Sequence, residues 1–390
     1  MEEDSMIITK AVPLFIDRFL FVRIETDKGI SGIGESGAWG HLEASAAAIS
    51  KFGEYLVGKD ARQIEHHWQV MRRAHHFTGA AISGAISAID IALWDIKGKA
   101  YGVPIYQLLG GAVRSKARLY AHVKGRTIEK LIGLASSLQE RGFTAFGHLN
   151  PFLDEDVHEA YFKPHARKMK DAIENVFKLR EALGHEADLC IELHRRLTAA
   201  EAVTFARAIE QTLPMFVEDP VPPEGIDTMA LVADRVPVPI ATGERFTDMH
   251  QFQMLLARRG VHFLRPCICL CGGITAGRKI AALAEASDAQ IVPHNPLSPI
   301  SLAACLQLDA AIGNFAIQEY PVANPESEGY SQLRAHTMVT GLPEPVGGFI
   351  EIPSGPGLGI ELVEDAERKY PRKTRTIHMR PHFDGSMIDQ

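Results

Sequence analysis

Three glutamates recur at equal intervals in the second half of the chain. Glu192 ends the apolar run ADLCIE, Glu218 ends MFVE and Glu244 follows PIATG, at intervals of 26 residues. Carboxylates that end successive parallel strands of a barrel meet at one rim, where they repel each other. Because a hard divalent cation relieves that repulsion, the spacing predicts a site for Mg²⁺, with Mn²⁺ as an alternative. The competing interpretation is three unrelated surface glutamates at loop starts.

Two histidines and a fourth glutamate also lie at the ends of these apolar runs. His194 lies two residues after Glu192, His294 follows QIVP, and Glu319 follows FAIQ 25 residues later. Histidine titrates near neutral pH and serves as a general acid or base. Any single histidine can instead be a hydrogen-bonded structural residue, but the rim position favours a catalytic role for both.

The elements that must position these residues alternate from residue 117 onward. Eight short apolar runs are separated by helical patterns: ARLYAHV, FTAFGHL, ADLCIEL, MFVEDP, VPIATGE, HFLRP, AQIVPHN and FAIQEY. This alternation predicts a parallel (β/α) barrel. A doubly wound open sheet would alternate as well, but no glycine-rich phosphate-binding motif follows the first strand.

The rest of the chain flanks this barrel. Residues 1–115 predict an α+β capping domain with strands at 7–12 and 19–24 and helices at 42–57, 62–74 and 83–101, the last ending near Gly102. The barrel is predicted to occupy residues 116–336. Residues 337–390 are rich in glycine and proline and are expected to pack back on the capping domain.

Composition narrows the function classes. The chain has 390 residues, 46% hydrophobic and 23% charged, typical of an ordinary globular protein. A net charge of -7 argues against nucleic-acid binding. The basic cluster of Arg368, Lys369, Arg372, Lys373 and Arg375 is expected to be a solvated segment. No apolar run is long enough for a membrane helix, and the first residues lack a signal-peptide pattern, so a cytoplasmic location is expected.

Three of the five cysteines stand close together, at Cys267, Cys269 and Cys271. If this segment is a strand, the three thiols face one side and a zinc site is conceivable, although it would need a fourth ligand. A reduced cytoplasmic protein is the simpler interpretation.

Several motifs resemble those of one enzyme group. ALWDIKGKAYGVPIYQLLGG is similar to the last helix of the capping domain in the mandelate racemase subgroup of the enolase superfamily, and FVEDP, PIATGE, CGGIT and IVPHNP resemble its strand ends. HLNPF and ELHRRLT are similar to segments of the galactonate dehydratase and mannonate dehydratase-like acid-sugar dehydratases. The resemblance implies a modified, TIM-like (β/α)7β barrel whose α+β cap is completed by the C-terminal segment.

The resemblance also implies a mechanism. Glu192, Glu218 and Glu244 would ligate Mg²⁺, which binds the substrate carboxylate, while His294 removes the proton α to that carboxylate. Glu319 would act as an electrophile that hydrogen-bonds the other carboxylate oxygen.

Dehydration would be completed elsewhere on the rim. His194 would protonate the departing 3-hydroxyl of an aldonate such as galactonate, gluconate or mannonate, giving a 2-keto-3-deoxy sugar acid. Substrate contacts are expected from Asn150, Trp39, His122 and Cys267, with specificity from the cap around Trp39 and residues 75–77. The expected partners are the small sugar acid and further copies of the chain, from a dimer to an octamer.

Three departures from the family pattern leave alternatives open. Glu192 replaces the usual aspartate, His148 replaces a lysine, and Cys267 replaces the aspartate that orients the base histidine. His294 is therefore expected to be a weak base, with His148 as another candidate. The chain could then be a hydroxy-acid racemase or epimerase using His148 and His294, or a regulatory relative that keeps only the metal site.

Overall fold

The computed structural model describes residues 5–74, 76–153, 159–321, 337–377 and 379–388. The N-terminal unit is a three-stranded antiparallel sheet beside helices. Its elements are β1 (Ile8–Ile16), β2 (Phe19–Thr26), β3 (Ser31–Ser36), α1 (Leu42–Leu56), α2 (Ile64–Arg73), α3 (Ala80–Tyr101) and α4 (Ile105–Leu108). Helix α3 ends at Gly102, which is left-handed with φ 67°, as the sequence predicts.

Strand β3 was not predicted, because its sequence SGIGES is poor in β-branched residues. Tertiary contact explains it. A Cβ at Gly32 would lie 2.2 Å from the carbonyl oxygen of Ala92, and a Cβ at Gly34 would lie 2.0 Å from that of Ala88. The two glycines therefore let the sheet lie directly on the backbone of α3.

All eight predicted barrel strands form. They run parallel in the order β10-β9-β8-β7-β6-β5-β4-β11, and a bridge between Ile291 and Phe315 closes the ring. The strands are β4 (Lys116–His122), β5 (Ala145–Leu149), β6 (Asp188–Glu192), β7 (Phe216–Glu218), β8 (Ile240–Thr242), β9 (Phe263–Leu264), β10 (Gln290–Ile291) and β11 (Gln318–Tyr320).

Helices connect these strands on the outside. They are α5 (Ile128–Glu140), α6 (His165–Leu183), α7 (Ala199–Ala208), α8 (Ile226–Arg235), α9 (Met249–Ala257), α10 (Gly273–Glu285) and α11 (Pro299–Ala311). Each connection between successive strands thus contains an α-helix, which confirms the modified (β/α)7β barrel. Across the described ranges, no helix combines the length and apolar character needed to span a bilayer.

The C-terminal segment contacts both units. It contains β12 (Val339–Thr340), β13 (Phe349–Glu351), β14 (Glu361–Leu362) and α12 (Ala366–Lys369). Strand β13 pairs with β4 of the barrel, whereas Leu358 donates its backbone N–H to Asp95 of α3 at 2.9 Å. The basic cluster is largely exposed, yet Arg372 and Lys373 pair with acidic residues of the cap. The boundaries at residues 115 and 336 remain predictions.

Two buried carboxylates of the cap meet the first turns of barrel helices. Asp90 of α3 accepts the backbone N–H of Thr275 at 3.0 Å, and Glu35 of β3 accepts that of Ser301 at 3.2 Å. Negative charge is favourable at a helix N-terminus. Burial nevertheless raises the pKa of each carboxyl to about 7, against the opposing effect of these hydrogen bonds. The cap therefore holds the starts of α10 and α11, which follow strands β9 and β10.

The raised pKa of Asp90 predicts a pH-dependent contribution to stability. The proton binds more tightly in the folded state, so this contribution is complete below pH 3.8 and is lost as the pH rises to about 7. Asp90→Asn mimics the protonated group. The difference in unfolding free energy, variant minus wild type, should therefore increase as the pH rises. The expected slope is up to about 1.4 kcal/mol per pH unit between pH 5 and 7, because only the wild-type protein loses stability over this range.

Urea unfolding at several pH values measures this difference. Asp234→Asn, at an exposed position of α8, is the control and should show no such trend. A pH-independent difference between Asp90→Asn and wild type would contradict the assignment.

Candidate active site

The three glutamates converge at the carboxyl end of the barrel. Glu192 and Glu218 are paired residues of neighbouring strands β6 and β7, and Glu244 lies two residues beyond β8. One carboxylate oxygen from each lies within 4.8 Å of the others. Glu192 and Glu218 are buried and Glu244 is partly buried, so the group forms a shielded cluster of oxygen donors.

The electrostatics of this cluster suit a divalent cation. Burial, followed by the charges of Glu218 and Glu244, raises the pKa of Glu192 well above its usual value. Burial also raises the pKa of Glu218 to about 8, against the effect of Arg265. Burial alone would raise the pKa of Glu244, but the electrostatic effects of the neighbouring histidines and of Arg265 outweigh it, so the pKa of Glu244 is lowered. Three carboxylates and no sulfur donor fit Mg²⁺ or Mn²⁺.

Within the described parts of the chain, these glutamates are the one set of three or more potential ligands whose donor atoms converge in this way. The idea of three aligned cysteines is wrong. Strand β9 ends at Leu264, and Cys267 begins a turn in which its carbonyl accepts the N–H groups of Leu270 and Cys271. All five cysteines are free and buried.

Arg265 is a central residue that the sequence analysis missed. It follows β9 and is 1% exposed. Its Nε donates to Glu218 and its Nη1 to the Tyr120 hydroxyl, each at 2.5 Å, and its Nη2 donates to Glu319 at 2.7 Å. The arginine thus brings a permanent positive charge beside the carboxylates. Its position in the sequence could have indicated this role, because in HFLRP it directly follows an apolar run, as the other strand-end residues do.

Glu319 accepts hydrogen bonds through both oxygens. His122 Nε2 lies 2.6 Å from Oε1, while Arg265 and the backbone N–H of Asn295 each donate to Oε2 at 2.7 Å. Burial raises the pKa of Glu319, but Arg265, His294 and His122 outweigh it and hold the pKa well below its usual value. An electrophile that donates a hydrogen bond needs a protonated carboxyl, so this arrangement disfavours the role that the resemblance implies for Glu319.

Three histidines form a row along the ends of β4, β5 and β6. The rings of His122 and His148 stack with centroids 5.1 Å apart, and His148 meets His194 edge-on at 6.0 Å. Burial lowers the pKa of all three, to about 4 for His194, with nearby Lys124 contributing. The rings are therefore neutral near pH 7, and a neutral imidazole still carries one N–H.

Backbone strain marks the same rim. His148 and His194 both have φ 52°, and Asp219, directly after β7, has φ 39°. Left-handed conformations are uncommon for residues with a side chain and occur preferentially at functional sites. Their occurrence at the carboxyl ends of three successive strands, β5, β6 and β7, supports a functional role for this end of the barrel.

His294 follows strand β10 and lies beside Glu244 of the cluster. Its Nε2 is 3.2 Å from Glu244, whereas its Nδ1 is buried and has no hydrogen-bond partner among the described residues. Cys267 provides none, and burial raises the pKa of its thiol well above the usual value. A Cβ on Gly37 of the cap would lie 3.1 Å from the sulfur. The structure therefore shows the physical consequence of the cysteine, a base candidate without an orienting acceptor.

The other expected substrate residues have local roles. Asn150 is buried and its side-chain oxygen accepts the N–H of Phe152 at 2.9 Å. Trp39 lies in the cap, with the guanidinium carbons of Arg18 and Arg375 at 5.4 and 3.8 Å from its ring centroid. Phe77 is 87% exposed, and His75 is outside the described residues. In the part of the chain that the structure describes, no hydrogen bond, ion pair or ring contact joins Asn150, Trp39 or Phe77 to the three glutamates.

Comparison with known families matches both parts of the chain. Residues 14–110 match the mandelate racemase / muconate lactonizing enzyme N-terminal domain, and residues 134–366 match the enolase C-terminal domain-like family. The chain belongs to this enolase-superfamily group. Its cap and barrel are therefore the two domains of that family, and its strand-end glutamates lie in the family's C-terminal domain.

Individual relatives cover nearly the whole chain. A D-galactonate dehydratase from Variovorax paradoxus is 37% identical over 377 residues, 95% of this chain and 96% of the relative. Another from Ralstonia nicotianae is 36% identical, with the same coverage. The solved structure of an enolase from Pantoea ananatis with bound D-gluconate and Mg is 28% identical, covers 99% of this chain and 100% of that one, and has a TM-score of 0.89.

Removal of the Arg265 charge should destabilise the protein. Arg265→Met leaves Glu218 and Glu319 buried without their cation, which typically costs about 3–5 kcal/mol. Added Mg²⁺ should recover part of this loss, because a bound cation stabilises the same carboxylates. Arg258→Met removes an exposed ion pair with Asp227 and should cost less than about 1 kcal/mol. Chemical unfolding with EDTA or with Mg²⁺ measures both; equal stability of Arg265→Met and wild type would refute the argument.

Metal binding itself is directly measurable. Isothermal titration of the EDTA-treated protein should show one Mn²⁺ or Mg²⁺ per chain. Glu192→Gln should weaken binding by more than the roughly 10–100-fold lost with an outer-shell partner. Glu174→Gln on the exposed face of α6 should bind as wild type does. Failure of the wild-type protein to bind either ion would remove the proposed site.

Proposed function

We propose that the protein is a hydro-lyase that removes water from an acid sugar. The supporting observation is the group of three carboxylates within 4.8 Å of one another, in a chain 37% identical over nearly its full length to a D-galactonate dehydratase. The substrate is an aldonate such as galactonate, gluconate or mannonate. The product is a 2-keto-3-deoxy sugar acid.

Glu192, Glu218 and Glu244 are the proposed ligands of one Mg²⁺. When bound there, the ion supplies a Lewis acid that polarises a substrate carboxylate and stabilises negative charge developing on it. The protein contributes a shielded pocket in which such interactions are stronger than in water. Arg265 adds a fixed positive charge beside Glu218.

The remaining chemistry is proton transfer by the rim. A base removes the proton from C2, and an acid delivers a proton to the 3-hydroxyl as it leaves. His194 is the proposed acid, since it lies two residues after Glu192 at the end of β6, and it would deliver the proton from its protonated, imidazolium form. The candidates for the base are His294, which lies 3.2 Å from Glu244, and His148, whose ring meets that of His194.

A panel of sugar acids tests the reaction. Incubation with aldonates and aldarates in the presence of Mg²⁺ should give a 2-keto acid, detected as its semicarbazone, for at least one compound. Glu192→Gln should abolish turnover of that compound, whereas Glu174→Gln should not change it.

Two results would contradict dehydration. Exchange of the C2 proton for solvent deuterium without a keto product would indicate a racemase or epimerase. No exchange and no product across the panel, with metal binding confirmed by calorimetry, would indicate a non-catalytic relative.

A further inference from the structure

Asp219 is a buried carboxylate that directly follows the proposed ligand Glu218. The residue is 0% exposed, and its Oδ1 accepts a hydrogen bond from the hydroxyl of Thr242 at 2.5 Å. Its Oδ2 is also buried and has no hydrogen-bond partner among the described residues. An unpaired buried carboxylate oxygen costs free energy, so its presence calls for an explanation.

The other hydrogen bonds of Asp219 connect the strand ends that carry the three glutamates. Its backbone N–H donates to the carbonyl of Ala241 in β8 at 3.0 Å. Its carbonyl accepts the backbone N–H of Arg195, which follows β6, at 2.7 Å. The bond from Thr242 adds a side-chain link to the end of β8, two residues before Glu244. Asp219 therefore links the ends of β6, β7 and β8.

The conformation and the charge of Asp219 place its carboxylate near the cluster. Its φ of 39° interrupts the alternation of side chains along β7 directly after Glu218. Burial is the main influence on the pKa of Asp219, followed by the charge of Glu244, and both raise it. The charge of Asp219 in turn adds to the effect of burial in raising the pKa of Glu192 and of Glu218. The carboxylate thus lies within electrostatic reach of all three proposed ligands.

In the part of the chain that the structure describes, two other buried carboxylates also have an unpaired oxygen. Asp90 lies on α3 of the cap and accepts the backbone N–H of Thr275. Asp309 lies on α11, and the charge that acts on it is that of Arg114. Of these three carboxylates, Asp219 is the one that adjoins a proposed metal ligand.

The hydrogen-bond donors of the nearby guanidinium are directed elsewhere. Arg265 donates to Glu218, to the Tyr120 hydroxyl and to Glu319. A cation held by the glutamates would bring other donors, because three carboxylates do not complete the octahedral shell of Mg²⁺, which usually retains several waters. Such waters bridge polar groups nearly as well as direct hydrogen bonds do. The buried oxygen of Asp219 therefore fits a hydrated cation at the cluster.

We propose that Asp219 is a positioning residue of the metal site, which holds the three ligand strands together and accepts at Oδ2 a hydrogen bond from the cation's hydration shell. This inference rests on the proposed metal site and is independent of the identity of the sugar. Asp219 is not itself a ligand, since the converging donor atoms belong to Glu192, Glu218 and Glu244. Loss of such an outer-shell partner typically weakens metal binding about 10–100-fold.

Calorimetric titration of the EDTA-treated protein with Mn²⁺ tests the role of the unpaired oxygen. Asp219→Asn keeps an oxygen for the Thr242 hydroxyl and tolerates the left-handed conformation, but places an amide N–H₂ where the second oxygen lies. Its affinity for Mn²⁺ should fall about 10–100-fold. Asp309→Asn is the matched control, because it changes a buried carboxylate with unpaired oxygens on α11, and it should bind as wild type does.

Thermal unfolding in EDTA distinguishes positioning of the metal from a merely structural role. Asp219→Asn should unfold at the same temperature as wild type or at a higher one, because it removes a negative charge from beside three glutamates. Added Mn²⁺ should then raise its unfolding temperature less than it raises that of wild type. The sign of the effect on stability is thus opposite to that on metal binding.

The hydroxyl of Thr242 and the waters of the bound ion provide two further measurements. Thr242→Val removes the donor that holds the Asp219 carboxylate and should weaken Mn²⁺ binding, whereas Thr242→Ser keeps a hydroxyl and should restore it. In the Mn²⁺ complex, ¹⁷O relaxation should show faster exchange of bound water in Asp219→Asn, because that water loses an acceptor.

Three results would overturn the proposal. They are wild-type Mn²⁺ affinity in Asp219→Asn, a loss of stability in EDTA large enough to account for its weaker binding, and unchanged affinity with a raised KM for the acid sugar. The last result would make Asp219 a substrate-binding residue. Weaker binding by Asp219→Asn, in a protein that binds Mn²⁺ but turns over no acid sugar, would support this inference while contradicting the proposed dehydration.

Discussion

The crowding of carboxylates at one end of the barrel is the constraint on which the site depends. Glu192, Glu218, Asp219, Glu244 and Glu319 are gathered where burial penalises their charges. Arg265 offsets part of this charge within the fold, and a divalent cation offsets more when bound. Arg265 and a divalent cation would neutralise different carboxylates, because Arg265 is bonded to Glu218 and Glu319 but not to Glu192. This distribution of charge is consistent with the proposed binding of a metal ion and an anionic substrate side by side.

The fold stabilises this arrangement from outside the barrel. Asp90 and Glu35 of the cap accept backbone N–H groups at the starts of α10 and α11, the helices that follow β9 and β10. The same helices are joined to the strand ends that carry Arg265 and His294. Positive φ angles at His148 and His194 show that the rim is strained, and such strain persists only where the surroundings determine it. Cap and rim thus form one packed unit.

Cys267 stands where the family pattern has an aspartate that orients the base histidine. A buried thiol does not orient an imidazole as a carboxylate does, and His294 has an unpaired Nδ1. On the neighbouring strand β11, Glu319 accepts hydrogen bonds from Arg265 and from the backbone N–H of Asn295 and is paired with His122. A reaction that begins with proton removal needs one well-oriented base, so the partners of each rim histidine bear directly on which of them can act.

The sequence by itself determined the eight strands, the helix ending at Gly102 and the convergence of Glu192, Glu218 and Glu244, because hydrophobic periodicity and the equal length of βα units are local properties. Only the tertiary structure decided β3, whose glycines pack on α3, and the turn at Cys267. It alone paired Arg265 with Glu218 and Glu319, and Glu319 with His122. These contacts join residues 47 to 197 positions apart, and side-chain orientation across a closed ring leaves no periodic trace in the chain.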